Sequence, residues 1–296
     1  MTQNPHIPPE TVYLNGRFLP LAEAAVGVLD RGFLFGDGVY EVLPVYGGTP
    51  FYLDRHLARL AQSLEGVRIQ NPLSPLQWGE MVGELIGLNG GGNLSVYLQV
   101  TRGAAKRDHA FPPDAVPTVF AMGSPLPPRT SGTPLQGMAA ITLPDIRWLN
   151  CHIKAITLLP NVLMRQQAVE EGAAEAILLR DGMLTEASAS NVFVVRDGLV
   201  ATPPLSRLIL PGITRGVVLD LLADQGIGAV QEPVTEAGLR TADEVWVTSS
   251  LREIAPVTRL DGAPVGDGRP GPVFEQMDKA FQTLKTQPRL WSGEKP

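Results

Sequence analysis

The chain is poor in cysteine: Cys151 stands alone among 296 residues. That excludes an internal disulfide and any metal site built from several thiolates, and no metal centre is expected. An excess of positive charge is missing too. Lys and Arg total 24 against 30 Asp and Glu, a net charge of −6 at pH 7. No basic footprint therefore marks the chain for nucleic acid or an anionic membrane. No apolar run reaches the roughly 18 residues of a membrane helix. The opening MTQNPHIPPETVYLNGRFLP has neither the basic start nor the apolar stretch of a secretory signal. Internal repeats and low-complexity tracts are absent. What is present, 44% hydrophobic and 18% charged residues, is the balance of a folded globular protein. The expectation is a cytoplasmic protein with no nucleic-acid or membrane partner, long enough for two domains.

Lysine is the most telling shortage. Only Lys106, Lys154, Lys279, Lys285 and Lys295 occur, and arginine carries the rest of the positive charge. Arginine cannot stand in for an amine that must lose its proton and attack a carbonyl. Four of the lysines have polar or terminal surroundings. Lys154, in HIKAITLL, lies among apolar residues. The ordinary reading is a lysine reaching past an apolar stretch to water. The other is an amine made nucleophilic by desolvation.

The chain divides at GSPLPPRTSGTPL, residues 123–135, rich in Pro, Ser and Gly. Residues 1–122 read as an N-terminal α+β domain. Asn15-Gly16 marks a hairpin, and strands over 40–46 and 50–53 flank Gly47-Gly48. Asp54 reads as the N-cap of a helix whose inner face carries Leu57, Leu60, Leu64 and Val67. A second helix over 75–88 ends at Gly90-Gly91-Gly92, a connector and not a nucleotide loop, followed by strands near 94–101 and 117–122. Residues 136–296 read as a C-terminal domain. Its strands fall at 138–143, 175–180, 183–186, 191–195, 199–202 and 244–248, and its helices at 159–171, 214–225 and 273–284. Tight Asp-Gly turns between successive strands favour antiparallel or mixed pairing, an α+β class.

Four further features bear on Lys154. Glu186, in LTEASASNVF, is an acid on an otherwise apolar and small strand; a surface charge on an edge strand is its ordinary reading. LPGITR, residues 210–215, leads straight into an amphipathic helix, whose free N–H groups beside Thr214 make an anion site, or simply a capped helix start. Ser249 and Ser250 end the strand VWVTSS, and Arg59 lies one turn after Arg55. An amine, a buried acid and an anion cup are what pyridoxal 5′-phosphate requires of a protein.

The chain resembles the class IV aminotransferases, the pyridoxal 5′-phosphate enzymes of fold type IV. RGFLFGDGVYEV (31–42), RHLARL (55–60), TRGAAKRDHAF (101–111) and DIRWLNCHIKAITLL (145–159) carry the resemblance. So do EAILLRDGMLTEASASNVF (175–193), LPGITR and EVWVTSSLREIAPV (244–257). It implies two domains with the cofactor between them, and a homodimer. Lys154 becomes the Schiff-base lysine and proton shuttle, and Glu186 the partner of the pyridine nitrogen. Arg59, the Ile213 and Thr214 backbone, and Ser250 would hold the phosphate. Within the family the chain is most similar to the D-amino-acid branch. There an Arg-x-His pair, here Arg107 and His109, two residues apart and so on one side of an extended loop, clamps the substrate carboxylate with Tyr40. The implied reaction is ping-pong transfer of an amino group from a D-amino acid such as D-alanine to a 2-oxo acid such as 2-oxoglutarate. L-branched-chain transamination, aminodeoxychorismate lysis and a cofactor-binding module without turnover are the other readings. Ala189 and His152 depart from the branch's usual residues, and Cys151 reads as packed.

Overall fold

A computed structural model describes residues 11–126 and 136–286. It falls into two compact units. Residues 11–126 together with Ile153–Thr157 form the first, and 136–152 with 158–286 form the second. Of the segment read as a linker, 127–135 lie outside the described residues, and its first residues continue a strand. Sequence position alone assigns Lys154 to the C-terminal domain. Its short segment instead joins the first unit, because its backbone pairs with a strand there.

The first unit contains β1 (Thr11–Leu14), β2 (Arg17–Pro20), α1 (Arg31–Phe35), β3 (Gly38–Tyr46), β4 (Thr49–Pro50), α2 (Leu53–Gly66), α3 (Pro75–Leu88), β5 (Leu94–Thr101) and β6 (Thr118–Pro125). The six strands form one antiparallel sheet in the order β2-β1-β6-β5-β3-β4. Asn15 and Gly16 both take positive φ, as a two-residue hairpin turn demands. Alternation decides the faces. Val39, Leu43 and Val45 of β3 and Val96, Leu98 and Val100 of β5 pack against Leu60 and Leu64 of α2 and Trp78 and Val82 of α3. The intervening Tyr40, Tyr97 and Gln99 occupy the opposite face.

Two expectations need correction here. Asp54 does not cap α2: the cap is Tyr52, in the left-handed region at φ 53°, and Asp54 lies in the first turn. The strand expected over 50–53 stops at Pro50, because Leu53 is already helical. Short α1 carries too few residues for a periodic signal.

The second unit contains β7 (Met138–Pro144), α4 (Leu159–Glu170), β8 (Glu175–Arg180), β9 (Met183–Ala187), β10 (Asn191–Arg196), β11 (Leu199–Thr202), α5 (Ile213–Asp224), β12 (Ala229–Gln231), α6 (Glu236–Arg240), β13 (Glu244–Ser249), β14 (Glu253–Leu260), β15 (Ala263–Pro264) and α7 (Pro272–Lys285). Its sheet is mixed, in the order β12-β11-β10-β13-β14-β7-β8-β9, with β15 beside β14. Neighbours β7 and β8 run parallel, with α4 as their crossover helix, and the hairpins are antiparallel. Met164 and Ala168 of α4 pack on Ile141, Leu143, Ala176 and Leu178. The sequence does not announce β12, α6, β14 and β15: three are very short, and Pro256 in β14 masks a strand that begins at Glu253 with φ 60°. No helix among the described residues is long and apolar enough to cross a membrane.

Candidate active site

In the first unit, Lys154 rides on a short strap, Ile153–Thr157, laid along the start of β3. Tyr40 N–H donates to the Lys154 carbonyl at 2.9 Å, and Ile156 N–H donates to the Gly38 carbonyl at 3.1 Å. Lys154 N–H donates to Ser63 Oγ of α2 at 3.2 Å. Three glycines, Gly36, Gly38 and Gly66, lie beside the strap. A Cβ on Gly38 would lie 2.6 Å from the Val100 carbonyl oxygen and 3.0 Å from Ile156 Cδ1. One on Gly36 would meet Thr157 Cγ2 at 2.5 Å, and one on Gly66 would meet Ile153 Cδ1 at 2.9 Å. With its backbone fixed, Lys154 extends Nζ over the face of Tyr40, 4.3 Å from the ring centroid. Tyr40 lies against Tyr97, whose hydroxyl donates to Gln99 at 2.6 Å. Burial and the neighbouring Tyr40 push the Tyr97 phenol up to about 12, so it remains a donor at neutral pH.

Arg59 belongs to the same unit and is buried on the inner face of α2. Glu41, fully buried on β3, accepts from its Nε at 2.7 Å and its Nη2 at 2.8 Å. His56 Nδ1 lies 2.7 Å from the same carboxylate. Burial pushes Glu41 up, but the Arg59 charge, its hydrogen bonds and His56 outweigh that and hold the carboxyl at about 2. For His56 burial wins and lowers its pKa, which favours a neutral imidazole. The sequence reading missed Glu41 and His56. The signal was present: an acid alternating with Val39 and Leu43 must point inward, and His56 and Arg59 share the buried stripe of α2 with Leu60 and Leu64.

Glu186 lies in the second unit on β9, an edge strand of the sheet, yet it is only 5% exposed. It is not the surface charge that an edge strand suggests. Arg147 Nη1 donates to one carboxylate oxygen, while Asn191 Nδ2 at 3.2 Å and Leu210 N–H at 3.0 Å donate to the other. Asp145 fixes that arginine, accepting from Nε at 2.9 Å and Nη2 at 2.8 Å. Burial raises the Glu186 pKa above the usual carboxylate value, against the pull of Arg147. Arg147 also escaped the sequence reading; the Asp-x-Arg spacing of DIRWLN was its only mark.

Leu210 leads to α5, whose N-cap is Gly212. Among the described residues no side chain caps this helix start. A Cβ at Gly212 would fall 2.0 Å from Asn191 Oδ1, so any larger residue there would displace the Asn191 amide. Thr214 is buried and Ile213 half-buried at the open first turn. Across the β10–β13 pairing Thr248 stands opposite Asn191. It is 2% exposed, and its hydroxyl has no hydrogen-bond partner among the described residues. Ser250 follows β13 in a turn, half-buried. Cys151 is packed, donating to the Trp148 carbonyl at 3.1 Å, and burial pushes its thiol up to about 11.

Arg107 and His109 occupy an exposed part of the loop between β5 and β6. That loop is bent where an extended segment was expected. Strand alternation does not put the pair on one side. The ring of Phe35 does, with the Arg107 guanidinium 5.3 Å and the His109 ring 5.5 Å from its centroid. Among the described residues neither has a hydrogen bond or ring contact with Tyr40. His152 is exposed.

Residues 38–260 match the family model described as amino-transferase class IV. The D-alanine aminotransferase of Bacillus licheniformis is 42% identical over 271 residues, covering 92% of this chain and 95% of that protein. The D-alanine aminotransferase of Staphylococcus aureus (strain MW2) is 39% identical over 274 residues, 92% of this chain and 97% of its own. Among solved structures, the Escherichia coli branched-chain amino acid aminotransferase superposes with a TM-score of 0.87 at 26% identity, covering 98% of this chain and 97% of that one. The branched-chain aminotransferase of the archaeon Thermoproteus uzoniensis, solved with norvaline, gives 0.85 at 25% identity, covering 95% of this chain and 96% of that one.

Proposed function

The chain belongs to the class IV aminotransferases, and from that we propose that it moves the amino group of a D-amino acid such as D-alanine to a 2-oxo acid such as 2-oxoglutarate, using pyridoxal 5′-phosphate. One contrast carries the choice of substrate. Curated D-alanine aminotransferases share 42% and 39% identity over 92% of the chain, whereas the branched-chain structures share 26% and 25%. The shared scaffold supports the reaction class, and the higher identity supports the D-specific branch.

The donor set fits the cofactor. Lys154 supplies an amine on a rigid strap, and Glu186 supplies a buried carboxylate. The uncapped start of α5, with the Thr248 hydroxyl left unpartnered among the described residues near Asn191, suits an anion. When bound, pyridoxal 5′-phosphate supplies an aldehyde that takes up the amino group and a ring that draws electrons from the α-carbon. Lys154 Nζ would hold the aldehyde, give it up to the incoming amine, and then move a proton at the substrate α-carbon. Tyr40, its ring centroid 4.3 Å from Nζ, would limit the directions from which that proton is taken. Glu186 would accept from the protonated ring nitrogen, and Arg147 with Asp145 would keep it oriented. Ile213 and Thr214, Ser250 and Arg59 would hold the phosphate, and Glu41 would fix the plane of the Arg59 guanidinium. Arg107, His109 and Tyr40 would bind the α-carboxylate. Because both half-reactions use the same groups, the kinetics would be ping-pong.

A homodimer is part of this reading. Phe33, 74% exposed, and Val28 and Leu29 beside it leave apolar surface for a second copy. Sedimentation tests that point, a monomer at micromolar concentration being the adverse result. The reaction is tested by assaying D-alanine, L-leucine and aminodeoxychorismate side by side. Faster turnover of L-leucine, or pyruvate release from aminodeoxychorismate, would overturn it. A purified protein without a visible cofactor band that borohydride abolishes would remove the cofactor itself.

A further inference from the structure

Arg107 and His109 are exposed, yet the backbone that carries them is held from beneath at several points. Arg31, 3% exposed, opens α1. Its Nη1 donates to the Asp108 carbonyl at 2.5 Å and the Ala110 carbonyl at 3.3 Å, and its Nη2 donates to the His109 carbonyl at 3.3 Å. In an extended chain, successive carbonyls point to opposite sides. Three in a row on one guanidinium require a bend, and the segment is bent. Arg31 therefore dictates the curvature of the loop at the residues that would meet substrate.

The side chains are set by the other end of α1. Phe35 takes the Arg107 guanidinium at 5.3 Å, the His109 ring at 5.5 Å and Arg31 itself at 4.9 Å from its ring centroid. The helix that does this is anchored in turn. Asp30 caps it, accepting from Gly32 N–H at 2.8 Å, and ties it to β5 and β6 through Thr101 at 2.9 Å and Thr118 at 2.7 Å. Asp37 accepts from Arg31 Nε at 2.7 Å and from Arg102 Nε at 2.8 Å. Arg102 stands 3.6 Å from the ring centroid of Phe111, just beyond the clamp residues. The neck is closed by Gly103 at φ 92°, where a Cβ would lie 1.9 Å from the Val116 carbonyl oxygen.

We propose that Arg31 and Phe35 are positioning residues for substrate carboxylate recognition: Arg31 sets the bend of the loop and Phe35 aligns the Arg107 and His109 side chains on one side of it. The proposal rests on the reading of that pair as the carboxylate clamp. Arginine gains from a planar carboxylate only when its own plane is already fixed, because ordering a long side chain at the moment of binding consumes much of the interaction. An aromatic face beneath the guanidinium fixes that plane without using its donors.

The test is the first half-reaction of the cofactor-loaded enzyme, followed in single turnover by loss of the visible band. It compares D-alanine with D-alaninol, the same amine without a carboxylate. Arg31→Lys, Phe35→Leu and Phe35→Tyr are measured beside Arg107→Leu. The expected result is a rate ratio, D-alanine over D-alaninol, that falls at least tenfold in Arg31→Lys and Phe35→Leu and is restored to within about twofold of the parent by Phe35→Tyr. Equal losses on both amines would make the residues generally structural and overturn the proposal, as would an unchanged ratio. If Arg107→Leu keeps the parent ratio, the clamp reading fails instead. If it lowers the ratio and Phe35→Leu does not, only the positioning role fails. Should Arg31→Lys fold poorly, the Phe35 pair decides the matter.

Discussion

Replacing Glu41 by Gln tests the electrostatics under Arg59 most directly. The carboxylate is fully buried, and it accepts two hydrogen bonds from Arg59, at 2.7 and 2.8 Å, and one contact from His56 at 2.7 Å. Held at about 2 in place of 4.5, the carboxyl contributes roughly 3 kcal/mol of stability at neutral pH by linkage. An independent route gives a similar size: leaving one member of a buried ion pair without its partner costs about 3–5 kcal/mol. Glu41→Gln should therefore lower the free energy of urea unfolding at pH 7 by about 3 kcal/mol, a large part of the ~5–15 kcal/mol typical of a domain. The sign of the pH dependence follows from a depressed carboxyl. Its contribution is complete above about 4.5 and disappears as pH falls through about 2. The gap between parent and variant should close over that window. The double variant Glu41→Leu with Arg59→Met, which removes both charges, should recover much of the loss. A loss under about 1 kcal/mol, a gap that ignores pH between 4.5 and 2, or a double variant as unstable as Glu41→Gln would refute the reasoning.

Other outcomes follow from the same geometry. Lys154→Ala should abolish transamination while leaving the urea midpoint near the parent's; turnover near normal would remove Lys154 from the chemistry. Gly38→Ala forces a methyl to 2.6 Å from the Val100 carbonyl oxygen and should cost about 1–3 kcal/mol and at least tenfold in activity. Gly79→Ala, in α3 with nothing within 4 Å, should instead stabilise by about 0.5–1 kcal/mol, the two being compared in one denaturation series. Arg147→Met takes the cation from Glu186 and leaves Asp145 with Arg180 alone, at 3.2 Å, and should destabilise by about 3 kcal/mol in the same urea assay. Cys151, buried with its thiol pushed up to about 11, should resist a disulfide reagent at pH 8 in the native protein and react fully in urea.

Much of the architecture was legible because it is local. The helix expected over 75–88, ahead of the glycine cluster, is α3, Pro75–Leu88, and the Asn-Gly and Asp-Gly pairs marked the hairpins at 15–16, 181–182 and 197–198, whose residues do take positive φ. Lys154 stood out by scarcity and Glu186 by being charged among small and apolar neighbours. Elements of two or three residues, such as β12 and β15, exist only through their pairing partners and leave no pattern of their own.

The sequence by itself determined which groups are available: one lysine in an apolar stretch, one acid on a small-residue strand, a Gly-Ile-Thr helix start and an Arg-x-His pair. Tertiary structure decided what each of them touches. The Lys154 strap joined the first unit through hydrogen bonds to Gly38 and Tyr40, residues more than a hundred positions away. Glu186 was buried on an edge strand by Arg147, Asn191 and Leu210, and Arg59 was fixed by Glu41. Arg107 and His109 were brought together by Phe35 and not by strand alternation. The reason is physical: a buried charge needs a partner of any sequence separation, and only the folded chain selects which one arrives.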